Sequence, residues 1–551
     1  MAFSSRPRLV ATALAAALLA GTLGALPASA GAHAAAPVTA PRILTQVDAP
    51  VPTLDWTRCQ DIPRSLCATA VVPLDYDDPT GPTILLDLVK LPALDAGRRL
   101  GTLFVNPGGP GGSATEFAFY ASELLGDTVA LRYDVIGVDP RGVGRHSEMV
   151  CTPGTRPDFP QVSFPITEPQ SKRVWNFARW ERLACRDNPN AIVAHMSTAD
   201  TARDMDLIRQ AVGEDMLDYY GISYGTYLGT TYAAMFPDRV GRMVVDGVLD
   251  PVAWSTGDED PATEPFSTRL RSARGAYESL TTGLAECDRV GRSACAFAGD
   301  ADAKWRWLVR KAKQGDLRVW GGRFTYQDLV GITLSLLYDN YSYDSLGYTL
   351  ADIYKAAHKP SGSGKVASAR MQRLLRAARD TISAPYGLQA IKIRDPFAGV
   401  ACADSVNPSG RLAWWEAGRA QDRQYPWFGS LWTWASAPCS GWPAAYGEDA
   451  FRGPWEVTTA NPLLVVGNSH DPATPVQGAR KVTTLFAGSR FLLMDGWGHG
   501  AITNTCVTEA FDAYYATGDL PAEGTVCPAD RPLFGAFEKA RSLPKWRPQA
   551  G

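Results

Sequence analysis

Two glycine-rich turns and one histidine-aspartate pair carry the chemistry legible in this chain. Gly221-Ile222-Ser223-Tyr224-Gly225 follows a short apolar run and opens a stretch of helical periodicity. A turn that tight leaves no room for side chains beside the serine, which accounts for both glycines. Ser223 is therefore a candidate nucleophile, and the Tyr224 N–H at the helix start is a candidate donor to a developing oxyanion. Asn106-Pro107-Gly108-Gly109-Pro110-Gly111-Gly112-Ser113 directly follows a second apolar run. It lacks Gly-Lys-Ser/Thr and the Gly-x-Gly-x-x-Gly spacing, so an oxyanion loop fits better than a nucleotide-phosphate loop. Pro110 has no N–H to offer. Gly109 is the first choice for the second donor, and Gly108 the second choice.

A serine nucleophile needs a base and an acid that orients it. His499, in Gly496-Trp497-Gly498-His499-Gly500, sits past a buried run among small neighbours. Asp471, in Asn468-Ser469-His470-Asp471-Pro472-Ala473-Thr474-Pro475, ends another. The chain order Ser, Asp, His is that of α/β-hydrolases. His470 competes with His499 as the base because it adjoins the acid, and Asp246 competes with Asp471 because it also ends a strand. His146, His195 and His358 read as polar or surface histidines.

The elements that must place these loops alternate between strand and helix. Cys67 to Leu74 and Ile84 to Leu91, separated by the turn cluster Asp77-Asp78-Pro79-Thr80-Gly81, read as a hairpin. Strands are expected at Gly101 to Val105, Tyr133 to Val138, Leu217 to Tyr220 and Arg242 to Val245, with helices at Thr198 to Val212 and Tyr224 to Met235. That alternation implies an α/β fold, a mostly parallel sheet covered by helices, with reactive groups at the carboxyl ends of its strands. It stops near Trp254. Ser267 to Ala285, Ala303 to Lys313, Tyr326 to Leu337 and Ala367 to Ala378 then read as helices of a large inserted cap. Asn461 to Gly467 and Arg490 to Met494 restore the strand signal, and a helix near Glu509 to Tyr515 closes it. The expected organisation is a signal peptide over 1–30, a leader over 31–53, hydrolase core over 54–253, helical cap over 254–455, and returning core over 456–551.

The signal peptide rests on Arg6 and Arg8, the apolar run Leu9 to Leu26, and the small residues Ala28-Ser29-Ala30. Beyond Ala30 no apolar run approaches the roughly 20 residues of a membrane span. Export makes the ten cysteines a disulfide set, and nearest-neighbour pairing (59–67, 151–185, 287–295, 402–439, 506–527) is the expected pattern. Without Cys-x-x-Cys and with few histidines, no metal site is expected. A formal charge of −3 with no basic block excludes an electrostatic nucleic-acid binder.

Ser223, Asp471 and His499, the Asn106 to Ser113 loop, Asp139-Pro140-Arg141-Gly142-Val143-Gly144-Arg145-His146-Ser147, and Val245-Asp246-Gly247-Val248-Leu249-Asp250-Pro251 together resemble the secreted tripeptidyl aminopeptidases of actinomycetes. These are α/β-hydrolase serine peptidases related to prolyl aminopeptidases. The resemblance covers nearly the whole chain past residue 30. It implies release of short peptides, often tripeptides, from free amino termini of peptides or proteins. The triad chemistry requires no cofactor, and a secreted monomer is expected. Prolyl aminopeptidases usually carry His-Gly-Gly-Pro-Gly where this chain has Asn106-Pro107 before its glycines, a departure that argues against strict single-proline release.

An exopeptidase must also bind an α-ammonium group. Asp258, Glu259, Asp260, Glu264 and Asp404 are available for this, with Glu259, Asp260 and Asp404 the substrate-binding candidates, although acidic clusters are usually solvated surface. Trp414, Trp415, Trp427, Trp432, Trp434 and Trp442 read more readily as domain packing than as a peptide channel. A secreted carboxylesterase or lipase would share the same constellation. A serine carboxypeptidase is less favoured, because its nucleophile motif resembles Gly-Glu-Ser-Tyr-Gly where this chain has Ile222.

Overall fold

The computed structural model describes residues 47–60, 63–155, 160, 162–258, 263–319, 322–341, 343–358 and 392–535. The expected signal peptide, most of the leader, Glu259, Asp260 and the expected helix at Ala367 to Ala378 lie outside the described residues.

The centre is a ten-stranded sheet: β1 (Thr57–Arg58), β2 (Leu66–Pro73), β3 (Thr83–Leu91), β4 (Gly101–Asn106), β5 (Tyr133–Val138), β6 (Leu217–Ile222), β7 (Val240–Asp246), β8 (Leu464–His470), β9 (Arg490–Trp497) and β10 (Val526–Pro528). Their spatial order is β1-β2-β3-β5-β4-β6-β7-β8-β9-β10. The β1-β2, β2-β3 and β3-β5 pairs are antiparallel, and every later pair is parallel. The expected hairpin is present, with Cys67 opposite Val89 and Val72 opposite Ile84.

Strand alternation divides the core between two faces, as the pleat requires. Phe104, Ile136, Tyr219, Val245 and Val465 point to one side, against Leu207, Ile208, Tyr227 and Leu228 of helices Thr198–Ala211 and Tyr224–Met235. Leu103, Val105, Val135, Tyr220, Val244 and Val466 point to the other, against Ala118, Ala121, Phe511 and Tyr514 of helices Ala114–Leu124 and Thr505–Thr517. Side chains cap three of these helices at the N-terminus, with Ser113, Ser197 and Asn504 accepting from Glu116, Asp200 and Val507 N–H respectively.

The large mainly helical cap follows β7. It contains helices Ser272–Val290, Ala301–Gln314, Tyr326–Leu337, Asp344–His358, Arg411–Gln424 and Gly429–Ala435 around the fully buried Trp305 and Trp414. Trp427 and Trp434 join that cluster and Trp442 packs in the hydrolase core, so these rings fill space inside the two bodies. The helix expected over Ser267 to Ala285 is broken: Phe266–Arg269 ends, Arg271 takes a left-handed φ of 61°, and Ser272–Val290 begins. Packing also blurs the expected boundaries. Phe164, Val174 and Ala178 from ahead of the insertion, and Leu533 and Phe534 from the far end, join the cap cluster. Helix Pro396–Asp404 and residues such as Phe451 and Trp455, inside the insertion by sequence, pack with the hydrolase core.

Five disulfides join Cys59–Cys67, Cys151–Cys185, Cys287–Cys295, Cys402–Cys439 and Cys506–Cys527, the nearest-neighbour pattern. No helix among the described residues is long and apolar enough to cross a membrane.

Candidate active site

Ser223 stands at the carboxyl end of β6, between the strand and helix Tyr224–Met235, with φ 60° and ψ −127°. A non-glycine residue at positive φ costs about 1–2 kcal/mol. The turn is held by its neighbours: the Ser223 N–H donates to Asp246 O at 3.0 Å, and Thr226 N–H donates to Ser223 O at 2.8 Å. Both flanking glycines are required. A Cβ on Gly221 would lie 2.3 Å from Gly225 O, and one on Gly225 would lie 2.7 Å from Asn106 O.

The loop after β4 presses on this turn. A Cβ on Gly108 would lie 2.4 Å from Ile222 O, 2.8 Å from Tyr224 N and 2.9 Å from Ser223 Cβ. The two glycines of the loop differ in their donors. Gly108 N–H is taken by the Asn106 side chain at 2.9 Å, whereas Gly109 N–H donates to no acceptor among the described residues. Tyr224 N–H opens its helix, where no acceptor lies a turn behind it. The buried Asn106 side chain thus braces the loop from the residue before Pro107.

Asp471 follows β8 and is 1% exposed. Its carboxylate collects the N–H groups of Ala473 and Thr474 at 2.8 Å, the Thr474 hydroxyl at 2.9 Å and Gly500 N–H at 3.3 Å. His499, two residues past β9, brings Nδ1 within 3.0 Å of both Asp471 oxygens. Burial alone would lower the His499 pKa. The Asp471 charge, its hydrogen bond and the charge of Asp246 outweigh that and hold the imidazole above its ordinary value. The His499 loop also abuts the Ser223 turn, since a Cβ on Gly500 would lie 2.4 Å from Ile222 Cδ1.

The two competitors have other partners. Asp246 accepts Ala501 N–H at 2.9 Å and the Tyr220 hydroxyl at 2.9 Å, and burial pushes its carboxyl up to about 6. It braces the His499 loop through Ala501. His470 is the last residue of β8, and its ring stacks on Trp497 at 4.6 Å. Among the other histidines, His146 pairs with Asp87 at 2.5 Å and His358 stacks on Trp307.

Of the amine-binding candidates among the described residues, Asp404 and Asp258 sit in different settings. Asp404 is 1% exposed and accepts Thr198 N–H at 2.8 Å, the Thr198 hydroxyl at 2.6 Å and the Trp254 indole N–H at 3.2 Å. A substrate ammonium would have to displace these donors. The same Thr198 hydroxyl meets the Tyr224 hydroxyl at 2.5 Å, so Asp404 braces the residue next to Ser223. Burial pushes the Asp404 carboxyl up to about 6 against those donors. Asp258 is exposed, 3.8 Å from Lys481.

Sequence reasoning missed Thr474, Tyr338 and Asn340. The Thr474 hydroxyl lies 3.2 Å from His499 Nδ1 as well as bonding Asp471. Tyr338, from the cap, sets its ring edge-on to His499 at 5.1 Å and accepts His499 N–H at 3.3 Å. Asn340 donates to Gly500 O at 3.3 Å and comes so near Gly498 that a Cβ there would lie 2.4 Å from Asn340 Cα. Gly498 and Gly500 signalled a close approach, but which segment approaches is tertiary information.

The central sheet and the strand-turn-helix at Ser223 define an α/β-hydrolase, and an alpha/beta hydrolase fold family model matches residues 101–274. A second family model, described as TAP-like protein, matches residues 425–527. The chain is 30% identical to a tripeptidyl aminopeptidase of Streptomyces coelicolor over 86% of each chain. It is 28% identical to the serine protease Hip1 of Mycobacterium tuberculosis, over 86% of this chain and 91% of that protein. It is 31% identical to a protein of the same organism named carboxylesterase B, over 86% of this chain and 90% of that one. The chain belongs to the tripeptidyl aminopeptidase-like α/β-hydrolases and is a serine hydrolase of the peptidase kind.

Proposed function

We propose that this enzyme is an exported exopeptidase that releases short peptides, tripeptides foremost, from free amino termini through Ser223, His499 and Asp471. The observation that carries the reading is the His499 Nδ1 contact of 3.0 Å to both oxygens of a buried Asp471, beside a serine held at φ 60°. Asp471 fixes the imidazole with its proton on Nδ1, which leaves Nε2 as the base. His499 takes the Ser223 hydroxyl proton as Oγ attacks the scissile carbonyl, then gives that proton to the leaving amine. Tyr224 and Gly109 N–H meet the oxyanion, each such donor contributing about 10²–10³ in rate. Water then attacks the acyl-enzyme, with His499 again as base. Every step uses side chains and backbone of this chain, and no cofactor enters.

Five disulfides support action outside the reducing cytoplasm. Peptides and protein amino termini are the substrates, met by a monomer in solution. Glu259 and Asp260 stay as candidates for the substrate amine, and Asp404 serves rather through Thr198 and Tyr224.

Carboxylesterase activity is the second reading, favoured by the 31% identity to a protein of that name and by chemistry common to esters and amides. Three matched aryl substrates separate the two: a tripeptidyl amide with a free amine, the same amide with the amine blocked, and a simple ester. The exopeptidase reading expects turnover of the free amide at least tenfold above the blocked one. Hydrolysis confined to the ester would defeat it.

A further inference from the structure

We propose that Asp75, His195 and Asp449 form a structural site for a single divalent cation, zinc foremost, at the seam where the chain returning from the cap meets the hydrolase core. One ligand atom from each residue lies within 4.8 Å of the others, and all three residues are half-buried. They come from three distant places: the loop after β2, the turn before helix Thr198–Ala211, and the segment between the cap and β8.

Two polar atoms there lack partners. His195 Nδ1 is sealed from solvent with no hydrogen bond, and so is Oδ2 of Asp200, a residue 1% exposed in the first turn of helix Thr198–Ala211. A buried polar atom without a partner costs roughly 1–3 kcal/mol, and a charged one more. Asp200 bears on the same spot. The carboxylates of Asp200, Asp77 and Asp75 all lie near enough to Asp449 for their charge to act on it, as does the Arg203 guanidinium.

The local cations do not neutralise this charge. Arg203 is committed to Asp200 Oδ1 at 2.7 Å. Arg141 is fully buried and spent on Asp204 at 2.7 and 2.8 Å. Its remaining N–H groups go to the carbonyls of Pro73, Leu74 and His195. Arg141 thereby fixes the backbone just before Asp75 and at His195 itself, so two of the three ligands are held in place before any ion arrives.

One imidazole with two carboxylates is a nitrogen and oxygen set that suits zinc better than calcium, which takes six to eight oxygens. Zinc bonds of about 2.0–2.2 Å require only small side-chain rotations from separations under 4.8 Å. The ion would leave Ser223, Asp471 and His499 untouched and would bind folded chain preferentially, so it should raise thermal stability.

The test uses the untagged full chain, stripped with chelator and titrated with zinc chloride by calorimetry, with a parallel thermal melt. The expected result is about one equivalent bound and a higher Tm. Asp449→Asn and His195→Gln should each weaken zinc binding at least tenfold and abolish the Tm shift, with metal-free peptide turnover unchanged. If Asp449→Asn folds poorly, Asp75→Asn takes its place. Absence of zinc binding by the parent chain, or equal binding by parent and variants, overturns the proposal.

Discussion

Replacing Gly108 with alanine isolates the contact between the loop after β4, the proposed oxyanion loop, and the Ser223 turn. The added Cβ would lie 2.4 Å from Ile222 O, with Tyr224 N at 2.8 Å and Ser223 Cβ at 2.9 Å. Carbon-to-carbonyl contacts close at about 3.3 Å, so the loop must retreat by roughly 1 Å. No rotamer change can relieve this, because the obstructing atoms are two backbone atoms and a Cβ. The φ of +85° adds about 1–2 kcal/mol of strain for an alanine. An oxyanion donor works at about 2.7–3.1 Å, so a retreat of that size removes the Gly109 contribution, on the order of 10²–10³ in kcat or about 2.7–4 kcal/mol. Initial rates on a free tripeptidyl aryl amide, corrected for folded fraction by circular dichroism, should show that fall in kcat with KM changed far less. Gly154→Ala, where a Cβ meets nothing within 4 Å, is the control and should match the parent. A folded Gly108→Ala protein with kcat within threefold of the parent would refute the reasoning.

Further outcomes follow from the electrostatics. The base must be neutral, and His499 is held above the ordinary histidine pKa, so the acid limb of kcat/KM should lie above pH 6.5. By the same linkage, protonated His499 stabilises the fold at low pH, and that stability is lost as pH rises through its raised value. Asp471→Asn removes the attraction and leaves burial dominant, so the limb should move to lower pH and kcat should fall by about 10⁴; an unmoved limb in the pH profile would count against the pairing. Arg141→Ala should cost about 3–5 kcal/mol in denaturant unfolding, because it strands the buried Asp204 carboxylate, and a cost under 1 kcal/mol would contradict that role.

The hydrolase core was legible because its strands and turns carry local signals. Tyr133–Val138 and the helix Tyr224–Met235 coincide with their expected bounds, and Pro140 and Pro237 stand just past their ends. The cap was harder to read. Helix Glu168–Asp187 went unread although Thr167 and Gln170 form a capping box, because its buried face includes Ser171 and Glu181 and dilutes the periodicity. The break at Arg271 has no glycine or proline to mark it. At the site, Ser223, Asp471 and His499 each end a strand and were readable in sequence. The small loop neighbours of His499 favour it over His470, whereas the stacking of His470 on Trp497 has no local signal in the sequence. The role of Tyr338 depends on how the cap folds back, which no local pattern encodes.

The central claim is that Ser223 forms the acyl-enzyme, and covalent trapping tests it most directly. Incubation with a fluorophosphonate, proteolytic digestion and mass spectrometry should find one adduct per chain, on the peptide bearing Ser223, in step with loss of peptide turnover. Ser223→Ala should carry no adduct and show no turnover while melting like the parent. An adduct on another residue, or turnover retained by a folded Ser223→Ala protein, would contradict the account.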